Sequence, residues 1–518
     1  MDEYRDIGDV EATRKAIWDR TLEAASNIEP VSNSQYTLSL GDVRWQGPDV
    51  LPKSAHKKAL LNGSYLTRKL SGTWTLTDNT TGKDVAKRRC VIAHIPYLTD
   101  LGTFVRGGND YTMAHQLRLK PGVYTRWLDN GQLEAHVNVS KGLGHKVFFE
   151  PESGVFKIRI GQAAIPIVTV MDALGASRQE MKNAWGEQLY EANRDKEDPK
   201  AINKLYDKVS YGRGEAQDFG EKRLAIQRAF LQMGLDPEVS SLTLGKPYDH
   251  VNKDVLLDTT SKLLRIYKGE QDTDSRDDMA YQRLFGPEDL IADRFKNSPS
   301  LLRKHLWKAA QRNSLDRMPG GVFDQAVTGA LISSGLGLPV EGINPIELFD
   351  NQYRVTRMGE GGIPSLDAVP ASARNVHPSQ MGILDPIRTP ESLKVGVDAR
   401  LAGSLRKGRN GEMLTQVLDR AGRKVWKTSG QLARASVAFP NAFNSPYEFI
   451  PAVRSGRLVM LPRDDIDYTF PTMQGGLHGT GRLVPLMSSV KGQRASGRSR
   501  SSPSRACISA LSAGRATG

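Results

Sequence analysis

Three aspartates crowd into four positions at Asp464, Asp465 and Asp467. Carboxylates at such spacing can hold Mg²⁺, which in nucleotidyl transfer activates a 3′ hydroxyl and stabilises the leaving pyrophosphate. Here they run directly into Tyr468 and read instead as the solvated start of a strand. His377 is a second residue with chemistry of its own, as a base or a ligand, but a lone histidine usually satisfies local hydrogen bonds. It stands in residues 375–396, a block with neither helical nor strand period. Pro378, Pro386 and Pro390 there each lock φ and withdraw a backbone donor, whereas Gly382 and Gly396 permit geometries and close approaches that a Cβ would forbid. By composition the block is a long surface loop, and it is built to hold a shape. The chain has no Walker A loop, no His-Glu-x-x-His, no Gly-x-Ser-x-Gly and no paired Cys-x-x-Cys. No catalytic residue and no metal ligand is therefore assigned to it.

These residues sit in a chain of 518 residues, long enough for roughly three or four domains that each bury a core. Hydrophobic residues at 39% and charged residues at 25% are ordinary for globular proteins and exclude global disorder. The absence of a long apolar run and the acidic start predict no membrane span and a cytoplasmic protein, in whatever compartment holds its DNA. Cys90 and Cys507 give no disulfide framework and read as reduced thiols. Residues 1–30 hold eight acids and four bases, so the net charge of +13 leaves +17 on the remainder. That excess suits a polyanionic partner through phosphate neutralisation, against the plainer reading of a solvated basic surface.

The elements that position such residues follow from periodicity. An amphipathic helix is predicted over 11–26. Short β-rich runs dominate 64–168, with Asn130-Gly131 as the clearest hairpin turn. From 165 to 315 helical signals take over: Ser177 with Glu180 is a capping box followed by Met181, Trp185, Leu189 and Ala192 on one face, and a further helix is predicted over 221–233. Beyond 345 the chain is again rich in loops and strands.

Val376-His377-Pro378-Ser379, Gly382, Pro386-Ile387-x-Thr389-Pro390-Glu391 and Val395-Gly396 together resemble the fork signature of the β subunit of bacterial-type, multisubunit DNA-directed RNA polymerase. Ile95-Pro96-Tyr97-Leu98-Thr99, Gly102-Thr103-Phe104-Val105, Gln116-Leu117 and Pro121-Gly122-Val123-Tyr124 resemble the same family in the same order. So do Leu263-Leu264-Arg265-Ile266 followed by Gly269-Glu270, Asn344-Pro345 with Arg354-Val355-Thr356, and Leu483-Val484-Pro485-Leu486. There are departures. Tyr111 and Tyr353 replace arginines, Ile383 replaces the usual arginine after Gly382, and Arg388 stands where the family has Glu.

The resemblance implies a multidomain α+β fold with a β-rich protrusion and fork and a mainly helical lobe inserted. The expected spans are 1–30 an N-terminal helical segment, 31–168 and 308–345 the two parts of the protrusion, 169–307 the lobe, 346–490 the fork, and 491–518 a basic tail. Residues 495–518 carry no acid and no period, which reads as a disordered tail or a frameshifted frame. The expected function is that of a β-like component of the polymerase, forming one wall of the DNA/RNA channel beside the active centre and not catalytic on its own.

In the family the metal-holding aspartates lie on β′, so Mg²⁺ is expected in the complex on the partner and not on this chain. The lysines that approach nucleic acid lie in the second half of β, beyond the segments matched here. Implied partners are a β′-like subunit, the second half of β, α-like assembly subunits, template DNA, nascent RNA and nucleoside triphosphates, with no membrane. Arg354 is expected to face nucleic acid where the strands part, and Glu391 to lie close to the incoming nucleotide. Gln116, Asn344, Asn351 and Thr356 fall at positions lining the family's rifamycin pocket, next to nascent RNA. Asn351, Glu341 and Thr356 replace the family's His, Asp and Ser, so weak or absent rifamycin sensitivity is expected. His377, Pro378, Gly382, Pro386, Thr389, Pro390 and Gly396 are the structural signature. The competing reading is a stand-alone basic nucleic-acid-binding or virion structural protein without transcription.

Overall fold

The computed structural model describes residues 4–194, 200–210, 218–296, 299–341, 343–390 and 392–483. The chain divides into two compact units, one of residues 1–118 with 283–518 and one of residues 119–282 inserted between them.

The first unit is built on a long antiparallel sheet of Val31–Ser32, Tyr36–Gln46, Thr67–Asp78 and Asp84–Pro96. Its buried side chains include Leu38, Leu70, Trp74 and Ile92, and Trp74 stacks at 6.4 Å from Phe323, which in turn meets Phe295 at 4.8 Å. Helix Val10–Ser26 covers this core with Ile17 and Trp18. Its start is fixed by Asp9, whose carboxylate accepts from the Ala12 amide at 2.9 Å. The same unit holds an eight-stranded sheet. It starts at Tyr4–Asp6, which pairs with Arg406–Gly408, and ends at the hairpin Phe449–Arg454 and Arg457–Pro462.

Lys407 is buried and is held by the carboxylates of Glu288 and Asp289 on helix Pro287–Lys296. Arg5 also pairs with Glu288, and Arg20 with Asp289 at 2.8 Å. Three cations on two acids satisfy charges that would otherwise be prohibitive inside the fold. They join the N-terminal strand and helix to the sheet that carries residue 407.

The inserted unit is a five-stranded antiparallel meander, Gly122–Trp127, Leu133–Asn138, His145–Glu150, Val155–Ile160 and Ala163–Pro166, followed by helices. Strand residues Val137, Val147, Phe156 and Ile158 pack with helix residues Val170, Met181, Phe230 and Leu263 in one core. Lys262, wholly buried, donates to the Asp274 carboxylate at 2.6 and 2.8 Å and to the Thr243 carbonyl at 2.8 Å. Asp274 also accepts from the amide and hydroxyl of Thr125, pinning a strand edge.

The predicted helix over 11–26 forms as Val10–Ser26, and the one over 221–233 as Phe219–Leu231. The Ser177–Glu180 capping box is present in both directions. The run from Met181 to Ala192 is not one helix. Gly186 at φ +83° ends Arg178–Trp185 and a second helix, Glu187–Arg194, begins at once. The architecture is mixed α and β with several sheets. The compact inserted unit, residues 119–282, takes in the five strands between 122 and 166. Residues 491–518 lie outside the described residues. Among the described residues no helix is long and apolar enough to cross a membrane.

Candidate nucleic-acid interface

Three short strands set the geometry around the Pro/Gly-rich block. His115–Leu119 runs parallel to Arg354–Thr356, which pairs antiparallel with Asp398–Arg400. Thr356 lies opposite both Gln116 and Asp398, and Arg354 opposite Arg400. Because strand side chains alternate, Gln116, Arg354, Thr356, Asp398 and Arg400 share one face, while His115, Val355 and Ala399 share the other. Two residues distant in sequence, Gln116 and Thr356, are thus neighbours.

Both are deeply buried, at 0% and 2% exposure. The Gln116 amide nitrogen donates to the Met358 carbonyl at 2.7 Å and its oxygen accepts from Arg118 Nε at 2.6 Å. The Met358 amide donates to the Thr356 hydroxyl at 3.1 Å. The turn that follows is held by Arg118, which donates to the Glu360 carbonyl at 2.9 Å. Gln116 and Thr356 are thus taken up by bonds to Met358, and neither presents a side chain to solvent. Arg354 is mostly covered, with Nη2 3.5 Å from the Asp398 carboxylate, and Lys394 Nζ lies 3.9 Å from the same carboxylate.

Asn344 caps helix Pro345–Gln352, accepting from the Ile346 amide at 3.0 Å, with Pro345 in the first helical position. It is exposed, as is Glu341, whereas Asn351 is buried. Asp350, one residue earlier, is the electrostatic centre of the region. Its carboxylate accepts from Arg400 Nε at 2.6 Å, Arg388 Nη2 at 2.9 Å and the Thr480 hydroxyl at 3.0 Å. Burial pushes the Asp350 pKa up, but the charges and hydrogen bonds of Arg400 and Arg388 outweigh it and hold the carboxyl below its usual range. His478, wholly buried, places Nδ1 3.5 Å from Asp350 and packs its ring against Phe349 and Tyr353. Burial lowers its pKa to about 4 in spite of Asp350, so the ring is neutral near pH 7.

The Pro/Gly-rich block is pinned from several sides. His377 caps the turn Pro378–Gln380: its Nδ1 is 2.7 Å from the Ser379 hydroxyl and accepts from the Ser379 amide at 3.3 Å. Asp385, buried, accepts from the amides of Ile387 and Arg388 at 2.7 and 3.3 Å and from the His478 amide at 2.7 Å. Burial raises its pKa. The Thr389 hydroxyl donates to the Asp398 carbonyl at 2.8 Å and accepts from the Gly396 amide at 2.9 Å. Arg374 donates to the carbonyls of Leu366, Leu393 and Val395.

Gly382 at φ +74° leaves 2.6 Å between a would-be Cβ and Thr415 Cγ2, and Gly396 at φ +73° leaves 2.2 Å to the Arg374 carbonyl oxygen. Pro386 and Gly382 line a small apolar pocket with Val376, Met381 and Phe470. Pro390 is half-buried beside them in sequence. Glu391 lies outside the described residues.

The departures have internal partners. Tyr353 is buried and donates to the Asp6 carboxylate at 3.2 Å, Ile383 is buried at 1% exposure, and Arg388 pairs with Asp350. Tyr111 lies in the strand Asn109–Met113, opposite Phe104. Asp464 and Asp465 are exposed in a single turn, Arg463–Asp465, and Asp467 accepts from the Ser436 amide at 2.8 Å. Among the described residues no group of three or more His, Cys, Asp or Glu side chains is placed to hold a metal ion. Sequence reasoning missed Asp350, Asp385, Arg400 and His478. No spacing links positions 350, 385, 400 and 478, and the reversed charge at Arg388 was the one signal that an acid had to lie nearby.

Residues 340–406 match the family model described as RNA polymerase Rpb2, domain 3. The chain is 22% identical to the DNA-directed RNA polymerase subunit beta of Mesostigma viride over 79% of its length and 39% of that protein's. To the subunit beta of Corynebacterium jeikeium it is 23% identical over 92% of its length and 44% of that protein's. To that of Dehalococcoides mccartyi it is 24% identical over 61% of its length and 28% of that protein's. The chain therefore spans less than half the length of these relatives. Over most of its length the chain is thus similar to the β subunits of DNA-directed RNA polymerase.

Proposed function

We propose that this chain works as a component of a multisubunit DNA-directed RNA polymerase, forming one wall of the DNA/RNA channel and the fork beside the active centre. One observation carries the reading. The residues matched to the polymerase domain, 340–406, contain the pinned block and two of the three strands of the face bearing Arg354. A shape held by internal hydrogen bonds suits a positioning role, because preorganisation lowers the cost of aligning reacting groups supplied elsewhere.

The metal ions of nucleotidyl transfer would be held by a β′-like partner, and the chemistry would require that partner, the remainder of β and α-like subunits. Excess positive charge supports contact with DNA and RNA phosphates. Residues 358–360 over Gln116 and Thr356, with Asn351 buried, favour weak or absent rifamycin sensitivity.

The test is purification of the tagged chain from its native host, followed by nucleotide incorporation on a primed DNA–RNA scaffold with Mg²⁺. Extension by the co-purified assembly, lost on Arg354→Ala with the assembly intact, is the expected result. Recovery of the chain alone, binding DNA without synthesis, overturns the reading in favour of a stand-alone nucleic-acid-binding or virion protein. Inhibition of the assembly by low-micromolar rifamycin overturns the drug expectation separately.

A further inference from the structure

We propose that Arg388 is a nucleic-acid contact of this chain, a guanidinium presented to a phosphodiester by Asp350, and this rests on the polymerase reading above. Arg388 lies on the turn 386–390, whose backbone is fixed by the two amide bonds to Asp385 and by the Thr389 hydroxyl. Its side chain is 46% exposed, in contrast to Arg354 at 13% and Arg400 at 16%. Among the described residues its guanidinium has a single partner, the Asp350 oxygen at 2.9 Å, contacted through one Nη. A guanidinium has five N–H donors in a rigid fork, so one edge is anchored while the remaining donors are left to solvent.

Asp350 is not the partner of Arg388 alone. Its other oxygen is taken by Arg400, so two guanidinium groups share one buried carboxylate. Lys394, 49% exposed, stands on the same block with only a long 3.9 Å approach to Asp398. An acid that fixes one edge of a half-exposed guanidinium and leaves its other donors to solvent is an arrangement that suits planar recognition of a phosphate. Asp350 is then a positioning residue, and Arg388 the binding residue.

The experiment uses the assembly purified with the tagged chain, carrying wild-type sequence, Arg388→Ala, Arg388→Lys or Asp350→Asn. Scaffold affinity is measured between about 50 and 200 mM salt, alongside RNA extension at saturating scaffold. Loss of one phosphate contact lowers the slope of log affinity against log salt by about 0.7–0.9, so Arg388→Ala loses about 2.6- to 3.5-fold less affinity than wild type across that range. Arg388→Lys, keeping the charge, restores the slope, and Asp350→Asn weakens affinity at constant slope.

An unchanged slope and affinity in an Arg388→Ala assembly that extends RNA overturns the proposal and leaves the polymerase reading standing. A slope lowered as much by Lys as by Ala also overturns it, since the residue then acts only through packing on Asp350. A wild-type assembly that makes no RNA overturns the polymerase reading and this proposal with it.

Discussion

Gly382 and Gly396 both sit at φ near +74°, yet what surrounds them differs. A Cβ at Gly396 meets a backbone carbonyl oxygen that cannot rotate away, whereas at Gly382 it meets a methyl group and the edge of the Phe470 ring. Gly396→Ala is therefore expected to cost about 3 kcal/mol or more and Gly382→Ala about 1–3 kcal/mol. Thermal unfolding of the two variants, ranked against wild type, checks the order; equal losses would mean that the 366–396 backbone yields easily. Asp350→Ala strips the acceptor from Arg400 and Arg388 at once. Removing one partner of a fully buried pair costs about 3–5 kcal/mol, and the half-exposure of Arg388 reduces that to about 2–3 kcal/mol here. Denaturant midpoints for Asp350→Ala and for Asp350→Ala with Arg388→Ala and Arg400→Ala measure it, with the triple variant recovering part of the loss if unpaired charge is the cause.

At the scale of elements, what was legible was local. The helix at 11–26, the Ser177–Glu180 cap and the Asn130-Gly131 turn between Gly122–Trp127 and Leu133–Asn138 are written in adjacent residues, and they form. The break at Gly186 was missed because apolar spacing continues across it and only its left-handed φ interrupts the backbone. The candidate interface was legible as a block of signature residues but not as a site. The partners that hold it, Asp350, Asp385, Arg400 and His478, come from four segments brought together only by the fold. The same holds for Lys262 and Asp274, which look like ordinary surface charges in sequence. Asp274→Ala leaves Lys262 buried without its carboxylate and also releases Thr125, so a loss of about 3–5 kcal/mol is expected. Protection of the Thr125 amide in hydrogen exchange should fall in that variant, and unchanged protection would show the strand edge to be held by other contacts.

For the whole molecule, buried histidines set an acid limit. Burial lowers the pKa of His115 to about 3 and those of His136, His145 and His478 to about 4, below an unfolded value of about 6.5. Between those values the unfolded chain binds more protons than the folded one, so stability rises with pH. The contribution is complete above about pH 6.5 and is lost as pH falls towards 4, in both units, since His136 and His145 lie in one and His115 and His478 in the other. Urea midpoints taken from pH 7.5 down to 4.5 should fall steadily, and a flat profile would show that the rings gain protons without cost.

The pairing of Tyr4–Asp6 with Arg406–Gly408 has a consequence for how the protein is made. At about 5–20 residues per second, a ribosome needs roughly 20–80 s to travel the ~400 residues between the two strands. The first strand emerges early and waits, its amides and carbonyls unpaired, while the inserted unit has all of its own residues long before. For that interval the strand that carries Lys407 does not exist, and a bare strand is a template for any other chain. Nascent molecules of this protein should therefore depend on a holding chaperone at the strand Tyr4–Asp6 until the sheet closes behind residue 406.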